Sequence, residues 1–292
     1  MPEAFVHLDT PRRGMLGNRL ATLVVWMAAV LLIGLFLWLI SDLVLGGISR
    51  LSWTFLSKPP LDAGRGGGIG PVIVSTSLIL LVAAAASVPP GLGTAVLLAE
   101  FSRRESGFAR FVRLSLDILA GVPSIVFGLF GNAFFCIVLG LGFSILSGGL
   151  TLACMVLPIL IRTAEEGLRS VPDDYRLAAA ALGLTRASTL IYLLLPSAMP
   201  ALIAGLVLGI GRAAAETAAL IFTSGYVDRM PGSLFDSGRA LSVHIYDLTL
   251  NVAGGDANAR ATALVLVLLL LLINGVAMSL ASRWRNARIV TA

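Results

Sequence analysis

The amino-acid sequence predicts an all-α, polytopic membrane protein with six transmembrane helices. Of its 292 residues, 57% are hydrophobic and only 13% are charged, and the mean hydropathy is +0.94. Soluble domains carry about 25% charged residues, so this composition argues against an ordinary water-soluble enzyme. A membrane-spanning helix needs about 20 mostly apolar residues, and six runs of the sequence are long enough. The predicted spans cover residues 20–45, 71–99, 117–142, 145–168, 190–222 and 261–282.

The distribution of basic residues predicts how these spans are oriented. With six spans, 13 of the 21 Lys and Arg residues fall in the two tails and in the loops on the same side of the membrane, and six fall on the other side. Cytoplasmic segments carry an excess of basic residues, so both termini are predicted to be cytoplasmic. The net charge of +5 then reflects membrane topology, and no nucleic-acid partner is expected.

Catalytic and metal-binding chemistry is not indicated by the sequence. Cys136 and Cys154 lie in apolar runs, far from His7 and His244, which disfavours a zinc-type cluster. Lys58, the only lysine, follows a serine, whereas an ATP-binding P-loop needs Gly-Lys followed by Ser or Thr. We therefore expect a transporter subunit rather than an enzyme, with no cofactor in this chain.

Three charged residues inside the predicted spans are the candidate site. Arg162 lies in the fourth span, and Arg212 and Glu216 lie four residues apart in the fifth, which would place them on one helix face. Gly205 and Gly209 have the spacing that lets another helix approach that face closely. Charge at a bilayer centre costs about 2.5–3.5 kcal/mol, so it is usually functional. Arginine suits an oxyanion substrate, with Glu216 as internal counter-ion, although a buried packing pair and a proton-carrying Glu216 are alternatives.

The surroundings of Arg162 suggest how its charge is compensated. Pro158, four residues earlier, cannot donate a helical hydrogen bond and is expected to kink the fourth span. Glu165 and Glu166 lie within one turn of Arg162 and are expected partners. Arg162 also lies toward the cytoplasmic end, where an arginine can extend to the interface without a role in transport.

A short helix is predicted in the loop after the fourth span, at about residues 170–183. Asp173 and Asp174 would complement the positive end of its dipole, and the alanines that follow favour helix. Gly183 is a natural C-terminal stop, and Thr185 can cap the next helix. A short capped helix in a cytoplasmic loop is typical of a docking element, the alternative being an ordinary connector.

Two polar stretches lie on the opposite side. The glycine-rich run at residues 64–70 precedes a helix and can in principle hold an anion on backbone N–H groups, although a flexible linker is the expected structure. The long connection at residues 223–260 is too polar to span the membrane and is expected to contain short helices.

The loop after the fourth span resembles the EAA loop of ABC importer permeases. Ala178-Ala179 is followed by Gly183 and then by Leu195-Pro196 at the family spacing, with Leu177 where the family usually has glutamate. In that family this loop docks on the ATP-hydrolysing subunit. The resemblance therefore assigns ATPase coupling to Asp173, Asp174, Ala178, Ala179 and Gly183.

Other segments resemble the A-type permeases of phosphate-specific transporters. Gly209–Leu220 is similar to their R-A-x-x-E-T-A-x-L segment, and Gly121–Gly128 is similar to their P-S-I-V-x-G segment. Shorter similarities occur at residues 67–70 and 241–246. The resemblance covers about residues 65–283, and the motifs occur in the family order.

The resemblance implies a type I ABC importer permease fold (MetI-like) in a bacterial inner membrane. It implies a C-type permease as heterodimer partner, two copies of an ATPase that would hold ATP and Mg, and an extracytoplasmic phosphate-binding protein. Arg162, Arg212 and Glu216 fall where pathway charges are expected. The implied regions are residues 1–70 with the first helix and outer loop, 71–283 as the permease core, and 284–292 as a cytoplasmic tail.

Two other functions stay open from the residues alone. A permease for another oxyanion, such as sulfate or molybdate, would need the same arginines. An ion-coupled secondary transporter or channel is a third hypothesis, which an inverted internal repeat would favour, and we see no such repeat in the sequence.

Overall fold

The computed structural model describes residues 12–103 and 106–289, which fold almost entirely into helices. The long helices are α1 (Arg12–Ile48), α3 (Gly70–Val96, continued by a π-helical turn, Leu97–Phe101), α4 (Gly107–Gly121), α5 (Ser124–Gly131, continued by a π-helical segment, Asn132–Val138), α6 (Ile145–Arg169), α9 (Leu195–Ala214) and α12 (Asp256–Ile289). The short elements are α2 (Trp53–Ser57), β1 (Pro60–Leu61), β2 (Gly66–Gly67), α7 (Asp173–Ala181), α8 (Arg186–Thr189, with a π-helical segment, Leu190–Leu194), α10 (Ala218–Ile221) and α11 (Leu241–Leu250).

Among the described residues, five helices are long and apolar enough to cross a membrane, and a bent helix pair raises the number to six. The five are Gly17–Ile48, Gly70–Phe101, Ile145–Arg169, Arg186–Ala214 and Asp256–Ser279. The pair is Gly107–Gly121 with Ser124–Val138, whose axes are bent by 100°. The prediction of an all-α membrane protein is therefore confirmed.

The prediction of a continuous third span at residues 117–142 was wrong. The helix α4 begins ten residues earlier and ends at Gly121, and α5 starts at Ser124 in a new direction. Val122 and Pro123 are both extended, with ψ angles of 130° and 142°. The residue before a proline is disfavoured in helical conformation, and this explains the break.

Helix α6 lies at the centre of the bundle, between α3 and α9. Glycine allows both contacts: a Cβ at Gly149 would meet Val82 of α3 at 2.5 Å, and a Cβ at Gly209 would meet Val156 of α6 at 2.5 Å. A Cβ at Gly205 would likewise meet Thr163 of α6, at 2.8 Å. The G-x-x-x-G spacing therefore lets α9 approach α6 closely, as the sequence predicted. The main hydrophobic core forms around these contacts.

The two ends of the bundle differ. At one end, which we call the α7 end, the C-terminal ends of α3 and α6 meet α7. The other end, which we call the hairpin end, holds the β1–β2 hairpin, α11 and the first turn of α12. The short helix α11 confirms the expectation of a helix within residues 223–260.

The glycine-rich run at residues 64–70 contains the second strand of an ordered hairpin, so the expectation of a flexible linker was wrong. The backbone N–H groups of Gly68 and Gly70 donate to the carbonyls of Pro59 and Lys58, each at 3.0 Å, and are not available to an anion. A Cβ at Gly68 would lie 2.4–2.7 Å from three backbone carbonyl oxygens, so only glycine fits there. Asn258 at the start of α12 donates to the carbonyl of Gly64 and fixes the hairpin against the helix.

Candidate functional site

Arg162 pairs with a residue that the sequence analysis did not consider. Its guanidinium forms an ion pair with Asp117 of α4, and not with Glu165 or Glu166 as predicted. Glu165 instead accepts hydrogen bonds from Arg113 at 2.8 Å and Arg169 at 3.0 Å. Asp117 is 45 residues away in sequence, so helix spacing cannot reveal this pairing.

The Asp117–Arg162 pair faces outward from the isolated chain. The two side chains are 54% and 46% exposed. Direct contact with lipid would be costly for both charges. At hydrocarbon depth, this face of α4 and α6 would need to be covered by another protein chain or by water.

A cavity of about 220 Å³ lies beside Arg162. It is lined by Arg113, Arg162, Glu165, Glu166 and Arg169. Three guanidinium groups and two carboxylates thus surround one polar space at the α7 end. Such a space can hold water or a small ion, although Asp117 and the two glutamates balance the three positive charges formally.

Arg212 and Glu216 are separated by the end of a helix, which corrects the prediction that they share a helix face in a span of residues 190–222. Helix α9 ends at Ala214, and Glu216 follows in a non-helical break before α10 begins at Ala218. Within the described residues, Arg212 and Glu216 form no ion pair. Arg212 lies exposed in the last turn of α9, where a positive charge complements the helix dipole.

The break after α9 is held by a neighbouring element of the hairpin end. The hydroxyl of Ser242, at the start of α11, donates to the backbone carbonyl of Glu216 at 2.5 Å. This contact compensates a carbonyl that the interrupted helix leaves free. Discontinuous helices are typical of binding sites in transporters.

The two segments that resemble phosphate-specific permeases lie against each other. Helix α5 packs so closely on α10 that a Cβ at Gly128 would lie 2.9 Å from the Cα of Ala219. The side-chain amide of Asn132 donates to the carbonyl of Phe222 at 2.8 Å. Two interrupted helices therefore meet directly after the break that holds Glu216, although the segments are about 90 residues apart in sequence.

Arg162 and Arg212 lie at different depths in the bundle. The antiparallel contacts of Gly205 with Thr163 and of Gly209 with Val156 set the register of α9 against α6. Arg162 is then level with the residues next to Gly205, and Arg212 lies about two helical turns, or roughly 10 Å, nearer the hairpin end. The structure does not bring the two arginines into one site, but spaces them along the bundle.

A second charged cluster at the hairpin end was missed by the sequence analysis. Arg239 lies 3.2 Å from Asp247 of α11 and 3.7 Å from Asp228. It also lies 3.3 Å from Nδ1 of His244, which is fully buried. Burial, and then the Arg239 charge, lower the pKa of His244 to about 4, so this histidine is neutral at ordinary pH. The cluster fastens the loop after α10 to α11.

The predicted helix after the fourth span is confirmed as α7. Asp173 and Asp174 lie exposed in its first turn. Gly183 has a φ angle of +71°, and its N–H donates to the carbonyl of Ala180 while that of Leu184 donates to Ala179. This is the hydrogen-bond pattern of a glycine-terminated helix. Thr185 accepts a hydrogen bond from the N–H of Ser188 and caps α8, as predicted.

Helix α7 is exposed over most of its surface, with Ala179 its one buried residue, and its exposed side chains include apolar ones. Asp174, Leu177, Ala178 and Ala181 are exposed and have the i, i+3, i+4, i+7 spacing of a single helix face. Leu177 is 67% exposed, and Leu182 just beyond the helix is 79% exposed. Ala179 is buried against the chain itself, so the two alanines of the EAA-like segment have different environments. Large exposed apolar side chains outside the membrane-spanning helices indicate a protein-binding surface.

A family model described as the inner membrane component of binding-protein-dependent transport systems matches residues 91–286. The match includes α4 to α11, the helix break and α7. The chain belongs to this family. It is therefore a multi-pass inner-membrane permease component, a transporter subunit rather than a catalytic enzyme.

Several relatives are similar along most of the chain. A probable ABC transporter permease protein, YqgI, of Bacillus subtilis is 31% identical over 285 residues, which are 93% of this chain and 96% of that protein. The phosphate transport system permease protein PstA of Yersinia pestis is 37% identical over 213 residues, 71% of this chain and 70% of that protein. PstA of Mycobacterium leprae is 32% identical over 227 residues, 76% and 74% of the two chains.

A solved structure supports the fold. An inward-facing structure of the MetNI methionine ABC transporter superposes with a TM-score of 0.58 at 18% identity, covering 73% of this chain and 96% of that one. The predicted MetI-like permease fold is thereby confirmed. At this identity the likeness concerns the fold alone.

Proposed function

We propose that this chain is the A-type permease subunit of an ATP-driven inorganic phosphate importer. The observation that carries the proposal is the contact between α5 and α10 beside the break after α9. Both segments that resemble phosphate-specific permeases meet there, and one of them contains the exposed Arg212. The PstA relatives at 32% and 37% identity support phosphate rather than sulfate or molybdate.

In this proposal Arg162, Arg212 and Glu216 line the substrate path. Arginine stays charged at any relevant pH and can donate two parallel hydrogen bonds to a phosphate. Arg212 would receive the anion at the helix break, with Glu216 as its counter-ion when the path is empty. Arg162, roughly 10 Å further along, would receive it next, in exchange for its ion pair with Asp117.

The remaining half of the path would come from a C-type permease subunit. The outward-facing Asp117–Arg162 pair supports this, because that face of the isolated chain needs a cover. An extracytoplasmic phosphate-binding protein would deliver the substrate at the hairpin end. Both termini and α7 would then be cytoplasmic, in agreement with the excess of arginines at that end.

ATP and Mg would be bound by two copies of a partner ATPase, with which α7 would make contact. Closure of the ATPase pair would displace α7 and rock the helices between outward-open and inward-open states. Binding-protein docking and ATP binding would favour the same outward-open state, so each should strengthen the other.

Uptake of labelled phosphate into proteoliposomes tests the proposed function. The vesicles would contain this chain with its candidate C-type permease and ATPase, and the binding protein would be added outside. We expect ATP-dependent accumulation of phosphate that an excess of unlabelled phosphate abolishes and an excess of sulfate does not. The proposal would be contradicted if excess sulfate suppressed accumulation as strongly as excess unlabelled phosphate does. It would also be contradicted if accumulation proceeded without ATP.

The Gly183→Val variant should weaken docking of the ATPase. A β-branched residue is strained at a φ angle of +71°, at a cost of about 1–2 kcal/mol, so the end of α7 should unwind. We expect recovery of the ATPase in a pull-down to fall roughly fivefold to thirtyfold. Gly183→Asn is the matched control, since asparagine tolerates this conformation, and it should retain docking. Equal recovery with the Val and Asn variants would contradict the role of this helix end.

A further inference from the structure

The guanidinium of Arg176 joins α7 to the end of α3. Its Nε donates to Oε2 of Glu100 at 3.1 Å, and its Nη2 donates to Oε1 at 2.6 Å. Glu100 lies in the π-helical turn that ends α3. A two-pronged arginine–carboxylate contact is both stronger and more directional than a single ion pair. Glu100 and Arg176 are 76 residues apart, so this contact connects separate parts of the chain.

The same guanidinium also binds the end of α6. It donates to the carbonyl of Leu168 at 3.0 Å and to that of Val171 at 2.8 Å, and it lies 3.1 Å from the carboxylate of Asp173. Glu100 and Asp173 hold the pKa of Arg176 above its ordinary value. One permanently charged side chain therefore connects α3, α6 and α7.

A second arginine supports the same junction. Arg169, in the last turn of α6, donates to the carbonyl of Leu98 at 2.6 Å and to Glu165 at 3.0 Å. Leu98 lies in the π-helical turn of α3, next to Glu100. Arg113 of α4 also binds Glu165. The α7 end therefore contains a continuous layer of charged contacts from α7 through α3 and α6 to α4.

We propose that Arg176 and Glu100 form a strut that makes α7 and the end of α3 move as one body. Covalent connections alone would pass a displacement of α7 only to α6 and α9. Through the strut it also reaches α3, which packs along α6 where Gly149 meets Val82. The inference rests on the proposed coupling to an ATPase. Glu100 and Arg176 are positioning residues in this account, because neither is placed at the substrate path.

The Glu100→Gln variant tests the strut in the complete reconstituted transporter. The exposed face of α7 is unchanged, so the ATPase should still be recovered with the permease and should still hydrolyse ATP. We expect the phosphate transported per ATP hydrolysed to fall about tenfold or more, because a charge-assisted, two-pronged contact is lost. Asp62→Asn, the same type of exchange at an exposed hairpin residue, should leave this ratio at the wild-type value.

A cross-linked variant separates motion as one body from a merely structural role. Cys136 and Cys154 are replaced by alanine, and Glu100 and Arg176 by cysteine. We expect low uptake from the double-cysteine variant and recovery of uptake after treatment with a short bifunctional thiol cross-linker. Wild-type transport per ATP in Glu100→Gln, or cross-linking that leaves uptake low, would overturn the strut. Failure of the wild-type transporter to take up phosphate would instead count against the proposed function.

Discussion

Replacing Arg212 by glutamine should abolish phosphate uptake while the permease still assembles with its partners. Arg212 is exposed in the last turn of α9 and has no ion pair among the described residues, so its side chain contributes little to the fold. Glutamine retains hydrogen-bonding groups but loses the charge and the second parallel donor. Loss of one side of a hydrogen-bonded charge pair costs about 2–5 kcal/mol, so uptake should fall by about 30-fold or more.

Two matched variants show whether the charge of Arg212 is responsible. Arg212→Lys keeps the charge but not the forked geometry, and it should retain a part of the activity. Arg229→Gln makes the same exchange at an exposed arginine of the hairpin end and should transport normally. Normal uptake by Arg212→Gln in an assembled complex would remove Arg212 from the path.

Replacing Gly128 by valine should destabilise the contact between α5 and α10 and inactivate the transporter. A Cβ at this position would lie 2.9 Å from the Cα of Ala219 and 3.2 Å from the carbonyl oxygen of Ala218. Both atoms belong to the backbone of α10, so no side chain can move aside. Overpacking typically costs about 1–3 kcal/mol, which corresponds to a decrease in Tm of roughly 5 °C.

Gly121→Val is the control for this steric argument. A Cβ at Gly121 would meet no neighbouring heavy atom within 4 Å, although the residue lies only two positions before the P-S-I-V-x-G segment. Thermal unfolding of the detergent-solubilised complex and phosphate uptake should both be close to wild type for this variant. If the variants at Gly121 and Gly128 have the same Tm and the same uptake, the close approach of α5 and α10 has no functional importance.

Local signals explain which parts of the fold the sequence predicts well. Long apolar runs are sufficient to find the spans, because burial in lipid depends on composition over about 20 residues. The helix α7 was predicted with its acidic first turn, its Gly183 stop and the Thr185 cap, since capping depends on neighbours within four residues. The break at Val122 and Pro123 also has a local signal in Pro123, which the span prediction overlooked.

The remaining features depend on contacts between distant residues. The break after Ala214 interrupts an alanine-rich stretch that favours helix, and only the bond from Ser242 to Glu216 shows how the free carbonyl is compensated. Asp117 was the first residue of a predicted span, yet its partner Arg162 belongs to another helix. Periodicity identifies the face of a helix but not the residue opposite. The sequence therefore suggests candidate path residues but does not reveal the residues that they contact.

Accessibility of the helix break to water tests most directly whether an anion passes beside Arg212. Ala215 is exposed next to this arginine, and Ala215→Cys can be introduced after Cys136 and Cys154 are replaced by alanine. In the assembled transporter we expect this cysteine to react with a charged, water-soluble thiol reagent, and we expect phosphate, but not sulfate, to slow the reaction. A cysteine that does not react, or one whose reaction rate phosphate leaves unchanged in a complex that transports phosphate, would contradict the account.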